Sequence, residues 1–343
     1  MGSLVPTIDV SGWPERDARD GIAAAVDDAC RSVGFLQLKG HGIPDAVIAD
    51  ALEASDAFFA RPAAEKLGFI SPSPEINRGF APLGSESLTY SLGVERPADL
   101  FEAFNIGPDD VPDDGWHRAR PTLFAANPWP ADQPGFRRAL VTYFGHARAT
   151  ADLLIRIFAV ALGLPEDYLV PFNDRATETM RTIRYERAPG APDPVDGQQR
   201  MGAHTDYGVV TVLYADPVAG LQIVGPDGEW HDVIPEPGCL LVNLGDLTAQ
   251  WTNDRWRSTI HRVAAPPRSA GGTSLRRSMA FFLDGNDDAV IECLPTCTSP
   301  DNPPTYPAVT AGGHLLAKLL GPRTATRSDA GSTIGDRIES GRL

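Results

Sequence analysis

Lysine is close to absent. Lys39, Lys66 and Lys318 are the only lysines among 30 basic residues, so chemistry that needs an amine nucleophile has few places to occur. Cysteine is scarce too. Cys30, Cys239, Cys293 and Cys297 form neither a Cys-x-x-Cys knuckle nor a disulfide framework, and reduced thiols in a cytoplasmic protein are the expectation. No apolar run approaches the ~18–20 residues of a membrane span, and the opening MGSLVPTIDV lacks the basic start, apolar stretch and small-residue cleavage site of a secretory leader. Positive charge is in deficit, with a formal net charge of −15. A surface of that sign disfavours nucleic acid and anionic membranes, both of which need a basic face, and leaves a small molecule as the expected partner. Nothing in the pattern specifies an oligomeric state.

What is present suffices for a large core: 343 residues with 42% hydrophobic content. After the extended VPTIDV, the segment from about Arg16 to Val33 carries Ile22, Ala25, Val26, Ala29 and Val33 on one face, which predicts an amphipathic helix ended by Gly34. FLQLKG reads as a short alternating strand, and Pro44 with Asp45 opens a second helix that Pro62 closes. From Asn77 to Gly107 the sequence is rich in Gly, Ser and Pro with scattered aromatics. The expectation there is an irregular lid around Arg78, Phe80, Phe101 and Phe104, with Arg78 read as an exposed ion-pair partner in preference to a group that meets an acidic ligand. A long helix is predicted from Pro134 to Leu162.

Beyond residue 178 the apolar period changes to two. MRTIRYER, GVVTVLYAD, GLQIVG, EWHDVIP, CLLVNLGD, STIHRVAAP and RRSMAFFLD are separated by turns such as PDG and EPG, the pattern of a sandwich or barrel of short strands. The expected class is therefore α+β, with helices placed first and one long supporting helix. The expected organisation is an N-terminal region over 1–125, a long helix plus strand core over 126–320, and a poorly ordered tail over 321–343. Arg187 to Gln199 reads as a polar, proline-rich insertion between two strands.

Candidate chemistry begins at MGAHTDYGVV. In extended chain, positions i and i+2 face the same side, so His204 and Asp206 aim two donors at one point. Among seven histidines, only His261 stands on a later strand, STIHRV, in a position that points inward, and the 55 positions from Asp206 leave room for the intervening strands to bring it back beside the first pair. Two imidazoles and one carboxylate make the facial triad of non-haem Fe(II) oxygenases, which leaves three adjacent coordination positions open. A catalytic zinc hydrolase also uses three protein ligands, so donor count alone leaves both open. His41 in GHG reads as a turn residue and His231 as an ordinary strand position.

In LRRSMAFFLD, Arg276 and Ser278 share a strand face with Ala280 and Phe282. A guanidinium on an apolar inner face is costly unless an anion meets it, and a carboxylate fits through two parallel bonds. The alternative is an outward Arg-Ser edge with Arg277 turned in.

These stretches together resemble the isopenicillin N synthase-like superfamily of Fe(II) and 2-oxoglutarate-dependent dioxygenases. HTDYG, then GLQIVGPDGEWHDVIPEPGCLLVNLGDLTAQWTNDRWRSTIHRV, then RRSMAFFLD match that family's signatures in order, and VPTIDV with GFLQLKGHGIP resembles its leading domain, so the likeness covers about 280 residues. The resemblance implies a double-stranded β-helix, or jelly roll, with His204, Asp206 and His261 on Fe(II). It also implies that Arg276, Ser278 and Tyr185 hold the distal carboxylate of 2-oxoglutarate, with Arg181 a candidate helper, and that Asn243 and Asp246 shape a turn. Where many plant members have Asn-Tyr-Tyr-Pro, this chain has Ile-Arg-Tyr-Glu over 183–186. The implied reaction uses O2, with ascorbate as a candidate reductant, and hydroxylates an unactivated C–H of a small molecule. Two other readings stand beside it: an Fe(II) oxidase or cyclase of the same superfamily that dispenses with 2-oxoglutarate, and a jelly roll that only binds.

Overall fold

The computed structural model describes residues 4–93, 96–186, 194–265 and 275–324. Helix α1 (Arg16–Ser32) buries Ala23, Val26, Ala29 and Cys30 at helical spacing. Its end is closed by the amides of Val33 and Gly34, both donating to the Ala29 carbonyl, with Gly34 at φ +65°. Helix α2 is Asp45–Phe59, and α3 (Ala63–Lys66) and α4 (Gly115–Arg118) are single turns. Helix α5 (Pro134–Ala161) starts on a proline that has no amide to leave unpaired, runs for 28 residues and buries Leu140, Phe144, Leu154, Ile157 and Phe158. Each such side chain, taken fully out of water, contributes about 2 kcal/mol. Helix α6 is Asp246–Trp251 and α7 is Ala311–Thr324.

The strands are β1 (Thr7–Asp9), β2 (Phe35–Lys39), β3 (Gly79–Ala81), β4 (Glu102–Ile106), β5 (Glu178–Tyr185), β6 (Met201–His204), β7 (Val210–Ala215), β8 (Leu221–Val224), β9 (Trp230–Asp232), β10 (Leu240–Leu244), β11 (His261–Val263) and β12 (Arg276–Leu283). Two short strands, 290–291 and 309–310, pair separately. Eight strands form one sheet in the order β1-β2-β10-β7-β12-β5-β4-β3, and β6-β11-β8-β9 form the other. Facing each other, the two sheets make the jelly roll expected from the sequence, and the fold is α+β.

Alternation sorts the side chains into two cores. Met180, Val212, Val242, Met279 and Phe281 point from the large sheet toward α1, α2 and α5, while Ile183, Tyr185, Leu213, Leu241 and Val263 point between the sheets. Covered on both faces, the large sheet buries nearly every residue of β2 and β10, so these strands read as apolar runs.

The segment expected to be an irregular lid is partly strand. β3 and β4 extend the large sheet, with Phe80 opposite Phe104, and both rings join Phe58 in the helical core at centroid distances of 6.0 and 4.8 Å. Phe101 packs between the sheets, 6.2 Å from the Tyr185 ring. Three- and five-residue strands are too short for local periodicity to reveal, and their pairing is long-range. Arg78 is also not exposed: it is 4% accessible and donates to the carbonyls of Asn77 and Leu123. The expected insertion is described only over 194–199, and residues 187–193 lie outside the described residues. Part of the expected tail is helical, since α7 runs through Thr324; residues 325–343 lie outside the described residues. Among the described residues no helix is long and apolar enough to cross a membrane.

Two left-handed glycines give a stability test. A Cβ at Gly34 would lie 2.3 Å from the Arg257 carbonyl oxygen and 2.7 Å from Thr259 Oγ1, whereas at Gly163, φ +73°, it meets nothing within 4 Å. Gly163→Ala should therefore lose only the conformational penalty of about 1 kcal/mol, and Gly34→Ala about 3 kcal/mol or more. Urea midpoints at unchanged slope measure both, and equal losses would contradict the close approach.

Candidate active site

The antiparallel pairing of β6 with β11 sets His261 directly opposite His204, their ring centroids 4.3 Å apart. Asp206 follows two residues beyond His204 and turns its Oδ1 to within 3.9 Å of His204 Nε2 and 3.8 Å of His261 Nε2. One potential ligand atom from each residue falls within 4.8 Å of the others, and all three side chains are buried. The structure thus brings together the residues that sequence spacing singled out.

Each imidazole is oriented from behind. Nδ1 of His204 lies 2.8 Å from the Gly202 carbonyl and Nδ1 of His261 lies 3.0 Å from that of Thr259. A carbonyl accepts only, so each Nδ1 carries the proton and each Nε2 lone pair faces the shared space. Burial, reinforced by the neighbouring His261, pushes the His204 imidazole well below the usual histidine range, which keeps it neutral and able to donate to a metal. Asp206 is fixed in the same manner: Thr211 Oγ1 and, at 2.6 Å, Asn243 Nδ2 both donate to its Oδ2 and leave Oδ1 facing the imidazoles.

Asn243 was expected to shape a turn in preference to touching substrate. It stands on the inward face of β10 and holds the triad's carboxylate directly, which alternation with Leu241 could have revealed. Asp246 fits its expected role more closely. Its amide donates to the Asp206 carbonyl at 2.8 Å, and its carboxylate accepts from Thr205 and Ser258 at 3.2 and 2.8 Å. It also meets Lys318 of α7 at 3.1 Å, a pair in which the lysine side chain is 0% and the carboxylate 2% exposed.

Farther along the same space lie Arg276, Ser278 and Tyr185, all buried. Arg276 pairs with Tyr185 across β12 and β5, and its guanidinium carbon sits 5.1 Å from the Tyr185 ring centre. Its Nε and Nη1 are buried with no hydrogen-bond partner among the described residues. Arg277 faces the other way and bonds Asp216 and Asp56, so the outward Arg-Ser alternative is discarded. Arg200, which sequence reasoning passed over, is buried near enough to Arg276 to feel its charge; burial and that charge both lower its pKa. The candidate helper Arg181 is instead tied to Glu86 at 2.7 Å.

One cavity connects the triad with Arg276, Ser278, Tyr185 and the Arg181–Glu86 pair, with an empty volume of about 1020 Å³ including its open mouth. Leu88, from the 3-10 turn Leu88–Leu92, and Leu315 and Leu319 of α7 line it beside the triad and Arg276. His41 accepts the Ile43 amide in its turn and His231 meets Asp227 on β9, and neither lines the cavity.

Comparison with known proteins agrees with this geometry. Residues 5–132 match the family model described as the non-haem dioxygenase in morphine synthesis N-terminal region, and residues 177–285 match the 2OG-Fe(II) oxygenase superfamily. The chain is 33% identical to the 2-oxoglutarate-Fe(II) type oxidoreductase hxnY of Emericella nidulans, over 89% of this chain and 86% of that one. It is 32% identical to the validamycin A dioxygenase of Streptomyces hygroscopicus subsp. limoneus, over 93% and 87%. Among solved structures it is similar to full-length Neurospora crassa T7H in complex with alpha-KG and thymine, with TM-score 0.79, 29% identity and coverage of 92% and 96%. The chain belongs to the 2-oxoglutarate and Fe(II)-dependent oxygenase superfamily, and it is an oxidoreductase that uses Fe(II), 2-oxoglutarate and O2.

The Lys318–Asp246 pair yields a prediction about the roof. Removing one member of a buried pair leaves the other uncompensated, at about 3 kcal/mol or more. In Lys318→Met, amide exchange in α7 should accelerate by about a hundredfold while that of β12 changes little. Uniform exchange across both elements would show that the pair does not hold the helix.

Proposed function

We propose that His204, Asp206 and His261 bind the ferrous ion and that Arg276, with Ser278 and Tyr185, receives the distal carboxylate of 2-oxoglutarate. The observation that carries this reading is the shared cavity: three converging donors at one position and, at another, a buried guanidinium two of whose nitrogens have no partner among the described residues. Leaving such donors unmet in the interior costs several kcal/mol by the usual penalty for buried unpaired polar groups, and a carboxylate removes it.

Charge supports the same assignment. A ferrous ion on one carboxylate and two neutral imidazoles leaves one positive charge, and Arg276 adds another. The 2-oxoglutarate dianion answers both, Glu86 and Arg181 neutralise each other, and Arg200, buried near Arg276, adds positive charge that further favours an anion there. The chemistry that iron and 2-oxoglutarate supply together when bound is the reduction of O2 coupled to decarboxylation to succinate, with one oxygen atom passing to a substrate C–H.

The chain's own residues do the rest. Thr211 and Asn243 keep Asp206 turned toward the imidazoles, the carbonyls of Gly202 and Thr259 fix the ring tautomers, and Leu88, Leu315 and Leu319 exclude water from above. Hydroxylation of a small molecule is the proposed outcome. Relatives are named for validamycin A and for homoarginine, and a structural neighbour holds thymine, all small molecules. We further assign residues 1–125 to an N-terminal region and 126–320 to the oxygenase core. The cytoplasm is the proposed compartment, in keeping with four free cysteines, three of them buried.

Two measurements test the assignment. With Fe(II), ascorbate and 2-oxoglutarate under air, the protein should release succinate. His204→Ala should abolish it, and Arg276→Gln should raise the 2-oxoglutarate requirement roughly 10–100-fold, the loss of one charge-assisted bond; a wild-type level of succinate from His204→Ala would end the reading. Separately, Asn243→Ala should weaken Fe(II) binding by about 10–100-fold in anaerobic titration without loss of fold. An unchanged affinity would mean that the carboxylate needs no such support.

A further inference from the structure

The charged groups that line the cavity fall into partnered sets and one remainder. Glu86 and Arg181 form an ion pair, and, on the function proposed above, the triad takes the metal and Arg276 the cosubstrate. Asp284 is left over. It continues the inward row of β12 after Arg276, Ser278, Ala280 and Phe282, and at eight residues from Arg276 it stands roughly 25 Å farther along an extended chain. One cosubstrate molecule does not span that distance.

Its carboxylate is costly where it sits. Asp284 is 6% exposed and its carboxylate opens onto the cavity, and among the described residues no hydrogen bond or ion pair reaches either of its oxygens. Of the charges near it, Glu178 is gripped by Arg148, and Arg78, whose donors go to the carbonyls of Leu123 and Asn77, acts on it only at a distance. Burial, with Asp206 and Glu178 adding to it and Arg78 opposing, pushes Asp284 up to about 8. The neighbouring loop accommodates the group: a Cβ at residue 208 would lie 2.1 Å from Asp284 Oδ1 and 2.8 Å from its Cα, and that residue is a glycine.

From this geometry we infer that the substrate carries a cationic nitrogen, a protonated amine or a guanidinium, and that Asp284 receives it through a charge-assisted hydrogen bond. The site is a largely buried acid lining the cavity with no donor in contact, and an N–H cation supplies that donor together with a charge that favours the ionised carboxylate. Asn77 and Thr179 add polar contacts on the same side. Phe282, Leu315 and Leu319 offer apolar surface to the carbon skeleton between the nitrogen and the metal.

The test compares agmatine, putrescine, L-lysine and cyclohexylmethylamine with their N-acetyl or alcohol counterparts. Binding to the full chain is followed by calorimetry with and without Fe(II) and 2-oxoglutarate, and by the anaerobic Fe(II)–2-oxoglutarate absorption band. At least one cation should bind roughly tenfold or more tightly than its neutral counterpart. Asp284→Asn, which keeps the shape and removes the charge, should close that gap, and Asp284→Glu should restore part of it. Neutral counterparts binding as tightly, a gap that survives Asp284→Asn, or no binding by any cation would each overturn the inference. Absence of the absorption band in the wild type would instead count against the cosubstrate assignment, and calorimetry on the metal-free protein would still decide the question of the cation.

Discussion

The convergence of the two imidazoles, around which the rest of the site is arranged, depends on one strand pairing. β6 and β11 are only four and three residues long, yet their antiparallel register places His204 opposite His261 and so creates the position that Asp206 completes. A shift by one residue would turn either imidazole away from the cavity, because side chains alternate across a strand. The register is held from outside the pair. β8 flanks β11 on its other edge, with Ile223 opposite His261, and Phe35 of the large sheet packs edge-on against the His261 ring at 5.4 Å. Short strands are thus fixed by what covers them.

Around that pairing the protein uses burial to control charge. An imidazole kept neutral is a ligand, a guanidinium kept unbonded is a receptor for an anion, and a carboxylate kept dry is a receptor for a cation. Arg276 and Asp284 are each costly without a partner, and on the proposed assignments each is met by a different guest, as the His204 lone pair is met by the metal. The stability given up to hold them there is offset by the two hydrophobic cores, one under the helices and one between the sheets.

Much of this could be read before any coordinates. The inward row of β12 follows from alternation alone, and so does the convergence of His204 with Asp206, because both depend only on the two-residue period. The return of His261 required counting strands, and the long helix announced itself by its stripe and its opening proline. What stayed hidden was long-range. Phe80 and Phe104 meet across strands too short to show a period, and Arg78 is buried by a carbonyl 45 positions away at Leu123. Lys318 finds Asp246 from the far end of the described chain, and Asn243 contacts Asp206 from a neighbouring strand. Such partners come from the packing of sheets and helices, which one-dimensional spacing does not encode.

The α7 anchor ties the cover of the cavity to the segment that carries Asp206. Asp246 grips Lys318 with its side chain while its amide holds the Asp206 carbonyl, so the roof and the metal position share a single foundation. Whatever loosens α7 is therefore felt at the backbone of Asp206, so access to the cavity and placement of the triad's carboxylate vary together.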